Sequence, residues 1–176
     1  MIDLSSLVIK PLDSELDLGA FSCGHKLLDK FLKDKAATEH AAYKVRVFVA
    51  CAPGDKCPLG YYALTVTTLV GSEVSEAAAS KFPKFNVPAI YLALIGVNKD
   101  HQSKGIGRLL MEDVLDRSLS IAENAGIWAV ALDAVSEEVA EIYEGYGFER
   151  FVEGERKMYM ALQTVRDAKV AAAQEA

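Results

Sequence analysis

AIYLALIGV, from Ala89 to Val97, runs directly into NKDHQSKGIGRLLMEDVL, from Asn98 to Leu115, and this junction decides the fold. The first piece is a short, almost unbroken apolar run, the pattern of a strand buried on both faces. After the polar loop, Ile106, Leu109, Leu110, Val114, Leu115, Leu119 and Ile121 recur at helical spacing, which predicts a helix from about Gly105 to Asn124. Between the two stand Gly105 and Gly107. Where a strand enters a helix through glycines, the first helical turn offers unpaired N–H groups and the positive end of the helix dipole, and no Cβ keeps a ligand oxygen away. Lys104 and Arg108 add positive charge on either side, so the loop reads either as a cradle for a phosphate or diphosphate or as a glycine start that lets the helix pack closely against the sheet. It is not a Walker loop, which requires G-x-x-x-x-G-K-[ST], and it is not a dinucleotide fingerprint, since Leu110 stands where the third glycine belongs.

Outward from the junction, the chain alternates strands and helices. Upstream, LVIKPL predicts a short strand, and FSCGHKLLDKFLKDKAATEHA predicts one amphipathic helix capped by Ser22 or Cys23, with Leu27, Leu28, Phe31, Leu32 and Ala36 facing inward. VRVFVACA and GYYALTVTTLV, joined by the turn residues PGDKCP, predict a hairpin rich in β-branched and aromatic residues. SEVSEAAASKF suggests a helix or helical loop, and the prolines of KFPKFNVP make that stretch irregular or edge-like. Downstream, IWAVALDA is another buried strand. SEEVAEIYEGYGF is a short helix with Val139, Ile142, Tyr143 and Tyr146 as its apolar stripe, stopped at Gly147. RKMYMAL is a last strand. These elements predict an α/β (α+β) chain with one domain over residues 1–164 and a helical or disordered tail over 165–176.

Size and composition agree with a single domain: 176 residues, 51% hydrophobic and 25% charged. No apolar run approaches the roughly 18 to 20 residues of a membrane span, and the N-terminus lacks a secretory pattern, which predicts a cytoplasmic protein. Cys23, Cys51 and Cys57 have no metal-site or framework spacing and read as reduced thiols, so no metal is expected. The net charge of −6 opposes general affinity for nucleic acid, yet it is unevenly spread. From His25 to Arg46 the chain carries a surplus of three positive charges, with Lys26, Lys30, Lys33 and Lys35 among them; from Asp133 to Glu155 it carries a surplus of seven negative ones.

Gln102, Ser103, Lys104, Gly105, Ile106 and Gly107 resemble the Q/R-x-x-G-x-G/A signature of the GNAT superfamily of N-acetyltransferases, and IYEGYGF, with Tyr143, Gly147 and Phe148, resembles that family's F-Y-x-x-x-G-F segment. FSCGHKLLDKFL, GYYALTV and FPKFNVPAIYLALIGVNKDHQSKGIGRLLM bring the likeness closer to one branch, the acetyltransferase toxins of toxin–antitoxin modules. Ser103 stands where the branch has glycine and Leu94 where it has arginine. The resemblance implies a mixed, mostly antiparallel sheet of about six to seven strands flanked by helices, with a V-shaped splay between two central parallel strands. It implies acetyl-CoA as cosubstrate, held by the backbone of Ile95, Gly96 and Val97 along the pantetheine and of Gln102, Ser103, Lys104, Gly105, Ile106, Gly107 and Arg108 at the diphosphate. Direct transfer makes the acceptor amine the nucleophile, so the protein needs a proton donor for the leaving thiolate, and Tyr143 holds the matching place.

The implied acceptor is the α-amino group of aminoacyl-tRNA, with the Lys26, Lys30, Lys33 and Lys35 face toward the tRNA, a homodimeric state and a cognate antitoxin. An α-amine, titrating near about 7.7 to 8.0, needs little help to lose its proton, whereas a lysine amine near about 10.4 needs a base. No dedicated base stands out; a water held by a carboxylate such as Asp133 is the open alternative. Two other readings stand beside this one: the same chemistry on a small amine or peptide N-terminus, which the overall acidity favours, and an acyl-CoA-binding module without catalysis.

Overall fold

The computed structural model describes residues 3–175. Seven strands, β1 (Val8–Pro11), β2 (Arg46–Cys51), β3 (Gly60–Leu69), β4 (Val87–Val97), β5 (Ala129–Asp133), β6 (Glu149–Arg150) and β7 (Lys157–Ala161), form one sheet in the order β1-β2-β3-β4-β5-β7-β6. The ladders β1–β2, β2–β3, β5–β7 and β6–β7 are antiparallel, and β4–β5 is parallel, with Ala89, Ile90 and Tyr91 opposite Ala129, Val130 and Ala131. Helices flank the sheet: α1 (Lys26–Asp34), α2 (Ala36–Ala41), α3 (Glu76–Ala79), α4 (Ile106–Ala122), α5 (Glu137–Tyr146) and α6 (Leu162–Glu175). The expected mixed, mostly antiparallel sheet is therefore present, and so is the strand–loop–helix junction that defined it.

The chain forms two compact units. The first, Met1–Thr65 with Leu92–Val114, holds the hairpin and the glycine loop. Its core is Phe21, Leu32, Val47, Val49 and Tyr61, with the Phe21 ring edge-on to Tyr61 at 5.4 Å and the Tyr61 hydroxyl donating to the Leu28 carbonyl at 2.9 Å. The second, Val66–Tyr91 with Leu115–Ala176, is built on a cluster of rings: Phe82 lies edge-on to Trp128 at 4.8 Å and to Phe151 and Tyr159 at 5.5 Å. Edge-to-face geometry of this kind adds about 0.5–1.5 kcal/mol per pair beyond area burial.

Three local expectations are corrected. The single helix predicted from Phe21 to Ala41 is two helices broken at Lys35 (φ −124°, ψ −31°). Leu32 and Ala36, four residues apart on either side of the break, are both fully buried as expected, while Leu27, expected inside, is 73% exposed. Neither Ser22 nor Cys23 caps α1; the N-cap is His25, which makes no capping bond through its side chain. In α4 the fully buried row is Ile106, Leu110, Met111, Val114 and Ser118, and Ile121, placed inside by its hydrophobicity, is 40% exposed. Ser118 is polar, so the apolar pattern passed over the position that completes the row. Finally, β4 starts earlier than the prolines suggested, at Val87, with Pro88 exposed inside it.

Candidate active site

The strand β4 delivers the chain into the loop through a short bracket. Asn98 donates its N–H to the Leu59 carbonyl at 2.8 Å, and its side chain accepts from the Asp100 N–H at 3.2 Å, starting one 3₁₀ turn over Lys99–His101. The backbone then passes through the left-handed region at Ser103 (φ 58°) and again at Gly105 (φ 87°) before α4 begins. Alternating hand in this way turns successive amides toward one side, the geometry of an anion nest. None of the backbone N–H groups from Gln102 through Arg108 finds an acceptor among the described residues; the first to do so is Leu109, bonded to the Gly105 carbonyl at 3.1 Å. Ser103 in the glycine position therefore adopts the required conformation and still presents its N–H.

The side chains of the loop do something other than sequence reasoning assigned to them. Lys104 donates from Nζ to the Asp100 carbonyl at 2.7 Å, and Arg108 is paired with Glu112 at 2.9 Å, one turn down its own helix. The two cations expected to flank an anion are thus partly engaged, and the amides are the free donors. Gln102 Nε2 donates to the Cys23 carbonyl at 2.9 Å and to the Val97 carbonyl at 3.1 Å, so its side chain braces the loop. Along β4, Gly96 is buried and Ile95 and Val97 are half-buried, and the Val97 carbonyl accepts from Gln102.

Tyr143 sits on α5, a well-bounded helix. Ser136 Oγ accepts from the Val139 N–H at 3.3 Å, Glu137 and Glu138 complement the dipole in the first turn, and Gly147 (φ 103°) closes the end, with the Phe148 N–H on the Tyr143 carbonyl at 3.0 Å. Ile142, expected in the apolar stripe, is 57% exposed, and the fully buried residue is Ala140. Tyr143 itself is half-buried, its ring 5.8 Å from Phe148, and its hydroxyl has no hydrogen-bond partner among the described residues. Burial, with the neighbouring Tyr146 second, pushes its pKa up to about 12, so the phenol keeps its proton. A neutral, partnerless donor at the edge of a helix is what protonation of a leaving group requires.

One pair was missed. Tyr91, on the last rung of the parallel ladder, donates its hydroxyl to Asp133 Oδ2 at 2.7 Å. Burial first, and then this hydrogen bond, push the Tyr91 pKa up to about 12. Asp133, the open alternative for a base, thus already accepts a proton donor. Lys26, Lys30 and Lys33 on α1, and Lys35 at the break after it, are all exposed and make no ion pair among the described residues. Cys23, Cys51 and Cys57 are free thiols, and no three His, Cys, Asp or Glu side chains among the described residues gather as a metal site.

Residues 43–150 match the model of a family described as Acetyltransferase (GNAT) domain. The chain is 30% identical over 169 residues to a probable toxin TacT of Sinorhizobium fredii, covering 90% of this chain and 93% of the relative. It is 29% identical over 133 residues to a tRNA-acetylating toxin of Mycobacterium tuberculosis, covering 76% of this chain and 78% of that one. Among solved structures, AtaT complexed with acetyl-methionyl-tRNAfMet superimposes with a TM-score of 0.82 over 91% of this chain and 97% of that chain, at 24% identity.

Proposed function

This chain belongs to the GNAT acetyltransferases, and we propose that it moves the acetyl group of acetyl-CoA to the α-amino group of an aminoacyl-tRNA, acting as the toxin of a toxin–antitoxin pair. The observation that carries the reading is the run of unpartnered amides from Gln102 through Arg108, built by left-handed turns at Ser103 and Gly105. Several N–H groups without acceptors at a helix start are a binding site for a dianionic group such as the coenzyme diphosphate. The backbone of Ile95, Gly96 and Val97 is the natural rail for the pantetheine amides. Bound acetyl-CoA supplies the acyl group as an activated thioester.

The acceptor amine attacks neutral, and the amine nitrogen sheds a proton as the amide forms while the sulfur gains one. Tyr143 stands as the donor to sulfur. Its phenol is protonated far above neutrality, and removing a general acid of this kind costs about 10²–10⁴ in rate. An aminoacyl α-amine is largely neutral near pH 8, so the absence of a free dedicated base suits it better than a lysine side chain. The exposed Lys26, Lys30 and Lys33 of α1, with Lys35 just after it, none ion-paired among the described residues, give this face the charge to meet a phosphate backbone, although the chain as a whole is acidic. The same reading makes the protein a cytoplasmic homodimer with a cognate antitoxin. The net charge of −6 favours a second reading, acetylation of a small cationic amine.

Incubation with labelled acetyl-CoA together with charged tRNA, free amines and peptides decides between them. Label is expected at the aminoacyl end of tRNA, and K26E/K30E lowers that transfer about tenfold while sparing any transfer to a free amino acid amide. Label on free amines alone overturns the acceptor and leaves the acetyltransferase standing.

A further inference from the structure

The two-residue stretch Ser22–Cys23 is held from two directions at once. From the side of α1, Asp29 takes the Cys23 N–H on Oδ1 at 2.7 Å and the Ser22 hydroxyl on Oδ2 at 3.1 Å. From the side of the loop, the Lys99 N–H donates to the Ser22 carbonyl at 2.8 Å, and Gln102 Nε2 donates to the Cys23 carbonyl at 2.9 Å while its other hydrogen goes to the Val97 carbonyl at 3.1 Å. Asp29 lies in the first turn of α1, whose N-cap His25 makes no side-chain cap bond, so this carboxylate does the work of fixing the helix start. Burial pushes the Asp29 carboxyl up, but the hydrogen bonds from Cys23 and Ser22 outweigh it and hold the group below the usual carboxylate range, so it is ionised and accepts fully at neutral pH.

We propose that Asp29 and Gln102 are positioning residues which make coenzyme binding at the Gln102–Arg108 loop and the ordering of the lysine-bearing helix α1 a single coupled event. The inference rests on the coenzyme reading of the loop given above. Gln102 is the first residue of the free-amide run, yet both of its side-chain hydrogens point back into the protein, to β4 and to Cys23. A ligand that fixes the loop backbone fixes this amide. The amide fixes the Cys23 carbonyl, and the adjoining Ser22–Cys23 peptide is held between the Lys99 N–H on its carbonyl and Asp29 on its N–H. By linkage the effect runs both ways: whatever steadies α1, including an anionic partner on Lys26 and Lys30, tightens the loop around the coenzyme by the same factor. Two carbonyls and one carboxylate thus tie the acetyl-donor loop to the face read as the acceptor's landing surface, and the tie has no role in the chemistry itself.

The test measures coenzyme A binding by calorimetry on the full chain, together with hydrogen exchange of the α1 amides with and without coenzyme A. Q102M keeps the side-chain length and removes both donors; D29A removes both acceptors outside the loop. Each is expected to weaken binding by about 5- to 20-fold, and the double variant no more than the weaker of the two singles, because both cut one chain of contacts. D29N, whose amide oxygen still accepts from the Cys23 N–H, is expected to lose less than about threefold. In the unaltered protein, coenzyme A slows exchange over Lys26–Asp34, and in D29A and Q102M it does not. Wild-type affinity in D29A, multiplicative losses in the double variant, or α1 exchange indifferent to coenzyme in the unaltered protein each overturn the coupling and leave the coenzyme site intact. If D29A fails to fold, Q102M with the exchange readout decides between coupling and independence. Failure of the unaltered protein to bind coenzyme A removes the functional reading and the coupling with it.

Discussion

Gly147 and Gly105 each mark a helix end with left-handed backbone, and they do opposite things. Gly147, at φ 103° after α5, turns its N–H back onto the Glu144 and Tyr143 carbonyls, and the helix closes with its acceptors satisfied. Gly105, at φ 87° before α4, has the same backbone hand, but the amides around it, from Gln102 through Arg108, find no acceptors among the described residues. A C-terminus has surplus carbonyls that a left-handed residue can feed from its own N–H, whereas an N-terminus has surplus N–H groups that no neighbouring backbone can supply. The first glycine therefore ends a helix, and the second leaves a row of amide donors open. Glycine and hand are shared, so the functional difference lies in which polar groups remain unpaired.

The largest effect expected is at the closed end, where α5 carries Tyr143. Tyr143→Phe removes the phenolic proton and leaves the ring beside Phe148, so kcat falls by about 10²–10³ while the Kd for acetyl-CoA, measured by calorimetry, stays within about twofold. An equal fall in affinity would show that the two ends do not divide the labour. The glycines themselves sharpen the contrast. Alanine at either position is forced into the left-handed region at about 1–2 kcal/mol, so Gly105→Ala and Gly147→Ala should each lower Tm by about 3–8 °C. Only Gly105→Ala should also raise KM for acetyl-CoA, by about tenfold, because only there does the strained backbone carry the ligand's donors. The Cβ it adds comes to 2.8 Å from Leu4 Cδ1, a contact the flexible leucine tip can yield, and one added at Gly147 meets Met160 Cε at an ordinary 3.6 Å.

Both ends were legible in the sequence, because each is specified by a few adjacent residues: Q-S-K-G-I-G for one, Y-G-F after an apolar stripe for the other. What escaped was set by contacts distant along the chain. Nothing near Lys35 announces the break between α1 and α2: Leu32 and Ala36, on either side of it, keep the spacing of one continuous helix face and are buried in the same core. The Tyr91–Asp133 bond joins two strands through a parallel ladder whose register no local pattern reveals. The motif places the Gln102 backbone N–H at the diphosphate and says nothing of its side chain, which is committed to Cys23 and Val97.

A smaller effect tests whether backbone or side-chain charge dominates at the open end. Lys104 is engaged by the Asp100 carbonyl and Arg108 by Glu112, so Lys104→Met should weaken acetyl-CoA binding only about threefold, with a slightly shallower salt dependence. A loss comparable to that of Gly105→Ala would shift the weight from the amides to the ammonium, and the contrast between the two glycines would lose its meaning.

The smallest effect expected is a limb missing from the pH profile. An ordinary tyrosine ionises near about 10, but burial first and then Tyr146 raise the Tyr143 phenol to about 12. A raised pKa in the folded protein favours the neutral form, so the proton is fully present below pH 10 and is lost only as pH climbs through 12. Any stability that this group contributes follows the same sign, present below the unfolded value near about 10 and lost above it. With an α-amine acceptor, kcat/KM should then rise through an apparent pKa near about 7.7 to 8.0 as the nucleophile becomes neutral, and hold flat to about pH 10. A descending limb centred below about pH 9.5 in a variant-free preparation that remains folded would mean that a more acidic group gives up the essential proton. That group could not be a phenol held on α5 by Ser136 at one end and Gly147 at the other, and the closed helix end would then be a support for the fold alone.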